Sequence, residues 1–267
     1  MLTNDISGKR AANAGNASFQ PGRLSLADVL APLDELAAHS PNVIANHKAT
    51  FLAGNQTCVL PRYLFIGPRG GDEPIRLGIF ATLNGTETEG AQALGRFLTL
   101  LAAEPSAAEG YRLFVYPVCN PTGFEDNTPH SRRGANLSRH FWKNSSEPEV
   151  QLLQSEVLYH AFHGTIVLQT SRDAHGFSGV GRGAILTRHL LAPALEAAGK
   201  HLPVGSASAE EDEGIFGAPP GVNARPFEIV LQAPKAASLF AKERAFGAAL
   251  RAILSEYRKF IAYARNL

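Results

Sequence analysis

The chain is short of the residues that mark several function classes. It has two cysteines, Cys58 and Cys119, in 267 residues. That is too few for a disulfide framework or a thiolate metal site. Both stand in apolar stretches, where a thiol packs as a small inert hydrophobe. Charge of one sign is not in excess either. The formal net charge is +1, so no global field draws nucleic acid or an anionic membrane to the surface. No apolar run approaches the roughly 20 residues that a membrane span requires. There is no Gly-x-Ser-x-Gly elbow and no Gly-x-x-x-x-Gly-Lys-Ser/Thr phosphate loop. The glycines of "GVGRGAIL", residues 179–186, follow a loop rather than a long strand, which argues against a dinucleotide fingerprint. Residues 1–23 contain no apolar signal core and read as a polar, partly disordered arm, so the expected location is the cytoplasm.

What is present is an ordinary globular composition, 45% hydrophobic and 18% charged. The remaining length, 24–267, suits one large α/β domain. Helical periodicity covers 24–38. Segments 42–52 and 57–66 read as two strands joined at Gly54-Asn55. "IRLGIFATL", residues 75–83, is a continuous apolar run suited to a strand buried on both faces. A helix follows to 103, then the strand "YRLFVYPV", residues 111–118. Residues 119–146 read as a long polar loop and 148–163 as a helix. "GTIVLQTS", residues 164–171, and "FEIVLQAP", residues 227–234, are two further interior strands. A helix covers 186–199, and the Glu/Gly-rich stretch 206–221 reads as a surface loop. The last helix, 237–264, places Phe240, Phe246, Leu250, Ile253, Leu254, Tyr257 and Ile261 on its apolar side. Strands alternating with helices predict a mixed, mostly parallel central sheet with helices on both faces.

Sites in such sheets gather at the carboxyl ends of the strands. Those ends carry Asn84-Gly85-Thr86-Glu87, Asn120-Pro121-Thr122-Gly123, Gln169-Thr170-Ser171 and Gln232-Ala233-Pro234. Their order and spacing resemble the zinc carboxypeptidase family, including its relatives that deacylate amino acids. In that family a strand ends in a His-x-x-Glu turn; here "LNGTETEG" puts Asn84 and Glu87 in those places. The family's Asn-Pro-Asp-Gly becomes Asn120-Pro121-Thr122-Gly123. Its Gly-x-x-Leu-Asn-Arg-x-Phe segment is met by "GANLSRHF", which keeps Gly134, Leu137, Arg139 and Phe141. Gln169 falls at the second zinc histidine and Gln232 at the catalytic glutamate. The resemblance covers roughly residues 43–260 and implies the fold, an active-site cleft and, in the family itself, zinc.

The departures shape the functional expectation. The family's His, Glu and His ligands correspond to Asn84, Glu87 and Gln169. One carboxylate and two neutral amides make a poor zinc centre. The trio also carries too little charge for calcium or magnesium. Gln232 cannot accept a proton from a metal-bound water. The family arginine that polarises the scissile carbonyl falls on Pro129, with Arg132 and Arg133 close enough in sequence to reach in. Ser138 replaces the asparagine beside Arg139, the pair that holds the substrate carboxylate. The bland alternative is a repaired polar core. Amides at 84 and 169 would hydrogen-bond the Glu87 carboxylate, and Glu87 would face the dipole of the following helix.

Other histidines offer less. His160 and His163 lie at a helix end, where no acidic partner is expected nearby. His175, beside Asp173, is the best replacement ligand. Arg139 either binds an anionic ligand group or forms an internal salt bridge to Glu87 or another acid. The sequence therefore predicts a carboxypeptidase-like domain with a degenerate zinc site and no cofactor. Its former cleft would bind a small anionic or peptide-like ligand, or a partner, without nucleic acid or membrane. The alternatives are a zinc-dependent carboxypeptidase or deacylase using His175, and an interaction protein with a filled cleft. The oligomeric state is open.

Overall fold

Strands that are apolar along their whole length require cover on both faces, and they receive it. The computed structural model describes residues 24–47, 49–69, 73–182, 184–210, 215–216 and 227–265. The polar arm expected over 1–23 lies outside them. The elements run α1 (Leu26–His39), β1 (Val43–Ala45), β2 (Thr50–Ala53), β3 (Gln56–Val59), β4 (Tyr63–Ile66), β5 (Ile75–Ala81) and α2 (Glu89–Ala103). Then follow β6 (Tyr111–Tyr116), α3 (Pro121–Asp126), α4 (Pro148–His160), β7 (Gly164–Ser171), β8 (Phe177–Arg182), α5 (Ala184–Ala198), β9 (Val204–Glu210), β10 (Phe227–Pro234) and α6 (Leu239–Arg265).

Eight strands form one sheet in the order β1-β4-β6-β5-β7-β10-β8-β9. The central strands β6, β5, β7 and β10 are parallel, β1-β4, β4-β6 and β10-β8 are antiparallel, and β9 joins β8 in parallel. Side chains alternate across the sheet. Leu77, Ile79, Ile166, Leu168, Ile229 and Leu231 pack against Leu94, Phe97, Leu191, Phe246 and Leu250 from α2, α5 and α6. Phe80, Val167 and Val230 face Leu153 and Val157 of α4, with Phe141 and Phe216. Ser25 opens α1 with a capping box: its hydroxyl accepts from Asp28 N and the Asp28 carboxylate accepts from Ser25 N. The sheet is thus the mixed, mostly parallel one expected from the sequence.

Several boundaries differ from the sequence reading. Each of the two long strands near 42–66 breaks in two. Pro61 has no N–H to continue a ladder, and the pieces serve different sheets. The segments β2 and β3 form a separate ribbon around Gly54, at φ +64°. The pair β1 and β4 joins the main sheet. The loop 119–146 contains α3 and a 3-10 turn over Leu137–Arg139. The glycine run 179–182 is part of β8, not a loop exit. A Cβ on Gly179 would come 2.4 Å from Leu191 Cδ1, so the glycine lets α5 approach the strand. Residues 206–210 of the expected surface loop belong to the edge strand β9. Ile215 and Phe216 of that stretch are buried, and its remainder lies outside the described residues. In α6, Phe240 is 65% exposed rather than in the core.

Candidate functional site at the carboxyl edge of the sheet

The site begins where β5 stops. Thr82 follows the strand at φ +53°, a left-handed conformation that costs a β-branched residue strain. Its hydroxyl donates to Glu87 O at 2.8 Å, which closes the turn over the intervening residues. Glu87 N donates to Asn84 O at 3.0 Å inside the same turn. A second turn packs directly on this one. Asn120 N donates to Thr82 O at 3.0 Å and Asn120 Nδ2 to Leu83 O at 3.2 Å. The Asn120 Oδ1 accepts from Gly123 N at 2.9 Å and caps α3. Contact is so close that a Cβ on Gly85 would lie 2.2 Å from the carbonyl carbon of Gly123.

Glu87 projects from this double turn to the end of β7, where its Oε2 accepts from Thr170 N at 2.9 Å. The Asn84 side chain also bonds the Glu87 carboxylate, but its oxygen is turned elsewhere. Its Oδ1 accepts from both Thr86 N, at 3.0 Å, and Thr86 Oγ1, at 2.8 Å. Gln169 and Gln232 are register partners on the parallel strands β7 and β10. Strand alternation puts both on the face covered by α4. Asn84, Glu87, Gln169 and Gln232 are all half-buried. The structure therefore brings the four positions to one edge of the sheet. Burial raises the pKa of Glu87, opposed by the Thr170 N–H and by the Lys235 charge; Glu89 raises it further and the Asn84 side chain lowers it.

Beside this group lies a charged cluster that sequence reasoning missed. Lys235 directly follows β10, and its Nζ donates to Thr86 O at 3.2 Å. It stands 3.8 Å from Glu89 Oε1. Lys242 of α6 is buried, and its Nζ meets Glu89 Oε1 at 3.1 Å and Lys235 O at 2.7 Å. The other Glu89 oxygen and the Thr170 hydroxyl are buried without a hydrogen-bond partner. The only sequence signal was a lysine placed one residue past an interior strand. Lys242 looked like any solvated charge on a long amphipathic helix.

The arginine loop is arranged differently from the expectation. Arg132 does not reach the cleft: its guanidinium pairs with Asp126 at 2.8 Å and Glu125 at 3.2 Å and donates to Gln56 at 2.8 Å. Two acids on the adjacent α3 hold it. Arg133 is exposed and donates to Ser146 O at 2.9 Å. Ser138 is half-buried in the 3-10 turn. Arg139, in the same turn, is exposed and makes no ion pair among the described residues, so the salt bridge to Glu87 is not formed. His175 and Asp173 are exposed in the connection from β7 to β8. Among the described residues no three His, Cys, Asp or Glu side chains gather to hold a metal ion.

His160 and His163 have structural partners. His160 sits 3.2 Å from Glu156, the acid one turn earlier, and its ring centroid is 4.0 Å from that of Phe114. Arg62 and Tyr116 also bond Glu156, the tyrosine at 2.6 Å. Helix α4 ends at His160, and His163 Nδ1 accepts from Arg76 N at 3.0 Å. Cys58 and Cys119 are free, buried thiols, and burial raises both pKa values. A separate groove of about 540 Å³ runs between α1, α2 and the start of α6, with Phe240 among its lining residues.

No protein-family profile matches the chain, and no curated protein matches it. Solved structures do. A metallo-carboxypeptidase from Burkholderia cenocepacia superposes with a TM-score of 0.72 at 15% identity, over 89% of this chain and 70% of that one. A metallo-carboxypeptidase from Pseudomonas aeruginosa, in complex with (2-guanidinoethylmercapto)succinic acid, gives 0.64 at 15% identity, over 87% and 69%. An aspartoacylase family protein from Mesorhizobium loti gives 0.57 at 16% identity, over 80% and 68%. At these identities the likeness is one of fold, and the fold of this chain is that of the metallo-carboxypeptidases and their aspartoacylase relatives.

Proposed function

We propose that this chain is a carboxypeptidase-like protein whose metal site has lapsed and whose cleft binds a small anionic or peptide-like ligand without hydrolysing it. The observation that carries the reading is the orientation of Asn84. Its carbonyl oxygen, the one atom with which an amide serves a metal, already accepts two hydrogen bonds from Thr86. Glu87 spends one oxygen on the Thr170 N–H. The third position is the neutral amide of Gln169. This donor set does not fit zinc, which takes imidazole, thiolate and carboxylate ligands in tetrahedral sites. At the place of the general base, Gln232 cannot take a proton from an attacking water.

Partial exposure of Asn84, Gln169 and Gln232 favours an open cleft over a filled one. The His175 route to an active hydrolase gains no support, since His175 joins no group of potential ligands among the described residues. An anionic ligand is consistent with Arg139, which is exposed and has no ion pair among the described residues. The Pseudomonas aeruginosa neighbour was solved with a succinic acid derivative, which suggests dicarboxylates as first probes.

The test is calorimetry of the chelator-free protein with zinc, and then with succinate in the presence of a chelator. Succinate binding without zinc supports the reading. Tight equimolar zinc, with peptide or acyl-amino-acid hydrolysis that a chelator abolishes, overturns it.

A further inference from the structure

Four cations, three from the arginine loop and one from the end of β10, stand in different environments. Arg132 is neutralised by Asp126 and Glu125. Arg133 is bonded to the Ser146 carbonyl. Arg139 is exposed on a short 3-10 turn. Lys235 alone is tied to the turn that carries Asn84 and Glu87.

We propose that Lys235 is the cation that receives the ligand's carboxylate in this cleft, in the role of a fixed positive charge beside Glu87, with Lys242 as its positioning residue. This rests on the reading that the cleft binds an anion. The backbone of Lys235 is clamped on both sides: its N–H donates to Ser171 O at 2.8 Å, and its carbonyl accepts from Lys242 Nζ at 2.7 Å. The side chain is thereby launched from a rigid strand end, and part of its ordering cost is met before a ligand arrives. An ammonium has three N–H donors. One goes to Thr86 O at 3.2 Å, and the nearest further acceptor, Glu89 Oε1, is 3.8 Å away. That leaves donor capacity on a side chain that is 34% exposed.

Glu89 engages this charge only at the longer of its two lysine distances. Its shorter partner is Lys242, at 3.1 Å on a side chain only 3% exposed. The Thr170 hydroxyl, without a hydrogen-bond partner, is buried below this lysine cluster and is not offered to a ligand. Thr170 is 7% exposed, pairs in register with Ala233 and donates its own N–H to Glu87. Strand alternation puts Thr170 on the sheet face toward α2 and α6, the side from which Glu89 and Lys242 meet Lys235. An ammonium with spare N–H donors matches a carboxylate, which accepts them.

The probe is succinate, titrated by calorimetry at low salt with chelator present, into wild type, Lys235→Met and Lys235→Arg. The expected result is a loss of at least about tenfold in affinity for Lys235→Met, with Lys235→Arg staying near wild type. A second readout does not depend on the variants' folding. Reductive methylation followed by mass spectrometry should show succinate slowing modification of Lys235 in the wild type, as a purely structural lysine would not. Wild-type binding that survives Lys235→Met, with no protection of Lys235, overturns this assignment and leaves the ligand-binding reading intact. No succinate binding by wild type, and no protection, overturns both.

Discussion

The Oε2 of Glu87 lies 2.9 Å from the backbone nitrogen of Thr170, across 83 residues of sequence, and this bond ties the end of β5 to the end of β7. It gives the carboxylate a donor but no full counter-charge. Burial remains the largest influence on Glu87 and raises its pKa. An acid with a raised folded pKa binds its proton more tightly when folded. Its contribution favours the folded state below the unfolded pKa and declines as pH rises through the folded value, leaving a fixed cost above it. Glu87→Gln keeps an acceptor for Thr170 and removes the charge. The variant should be more stable than wild type at neutral pH, on the order of 1 kcal/mol, and the difference should shrink as pH falls through the carboxylate range. Urea melts at several pH values measure this, and a large loss of stability at pH 7 would show that the charge itself is needed.

The zinc positions offer a gain-of-function test. Asn84→His with Gln169→His restores a His/Glu/His set at the places where the family resemblance puts it. Structural zinc sites contribute on the order of 10 kcal/mol in all, so calorimetry should show a large gain in zinc affinity over wild type. Equal, weak binding by both proteins would mean that the two positions do not face one centre. The double variant still lacks a base, whose removal typically costs about 10²–10⁴-fold. Adding Gln232→Glu should raise hydrolysis above the double variant. Failure to do so would point to Pro129, where the family has its polarising arginine.

The frame that presents Asn84 and Glu87 depends on two glycines in contact. Gly85→Ala would drive a Cβ to within 2.2 Å of the Gly123 backbone, and no flexible side chain is there to yield. The expected cost is about 3 kcal/mol or more, at the upper end of overpacking effects. A melting temperature within a few degrees of wild type would falsify the close packing of the two turns.

Glu156 behaves in the opposite sense to Glu87. Burial opposes its ionisation, but hydrogen bonds from His160, Tyr116 and Arg62 win and hold its pKa at about 2. A depressed carboxylate contributes stability above its unfolded pKa that is lost as pH falls toward the folded value. Glu156→Gln leaves Arg62 half-buried without its partner and should destabilise the protein by about 3 kcal/mol near neutrality. Chemical denaturation should show that difference narrowing from about pH 4.5 down toward pH 2.

The sequence by itself determined the layered α/β plan. The apolar runs at 75–83, 164–171 and 227–234 can be satisfied only as interior strands covered on both faces, and all three are. Landmarks in order along the chain were enough to place Asn84, Glu87, Gln169 and Gln232 at strand ends, because strand direction and side-chain alternation are local properties. The same locality explains the errors. The edge strand β9 reads VGSASAE, with no apolar alternation, and in β8 Gly179 makes room for a helix close upon the strand. Neither pattern says strand until the neighbour is known. Tertiary structure alone decided the charges. Arg132 looked free to enter the cleft until Asp126 and Glu125 claimed it. Lys235 and Lys242 gained their meaning from Thr86 and Glu89, about 150 residues away in sequence. Electrostatic partnership depends on distances of a few ångströms in space and on burial, and neither is encoded in the spacing of residues along the chain.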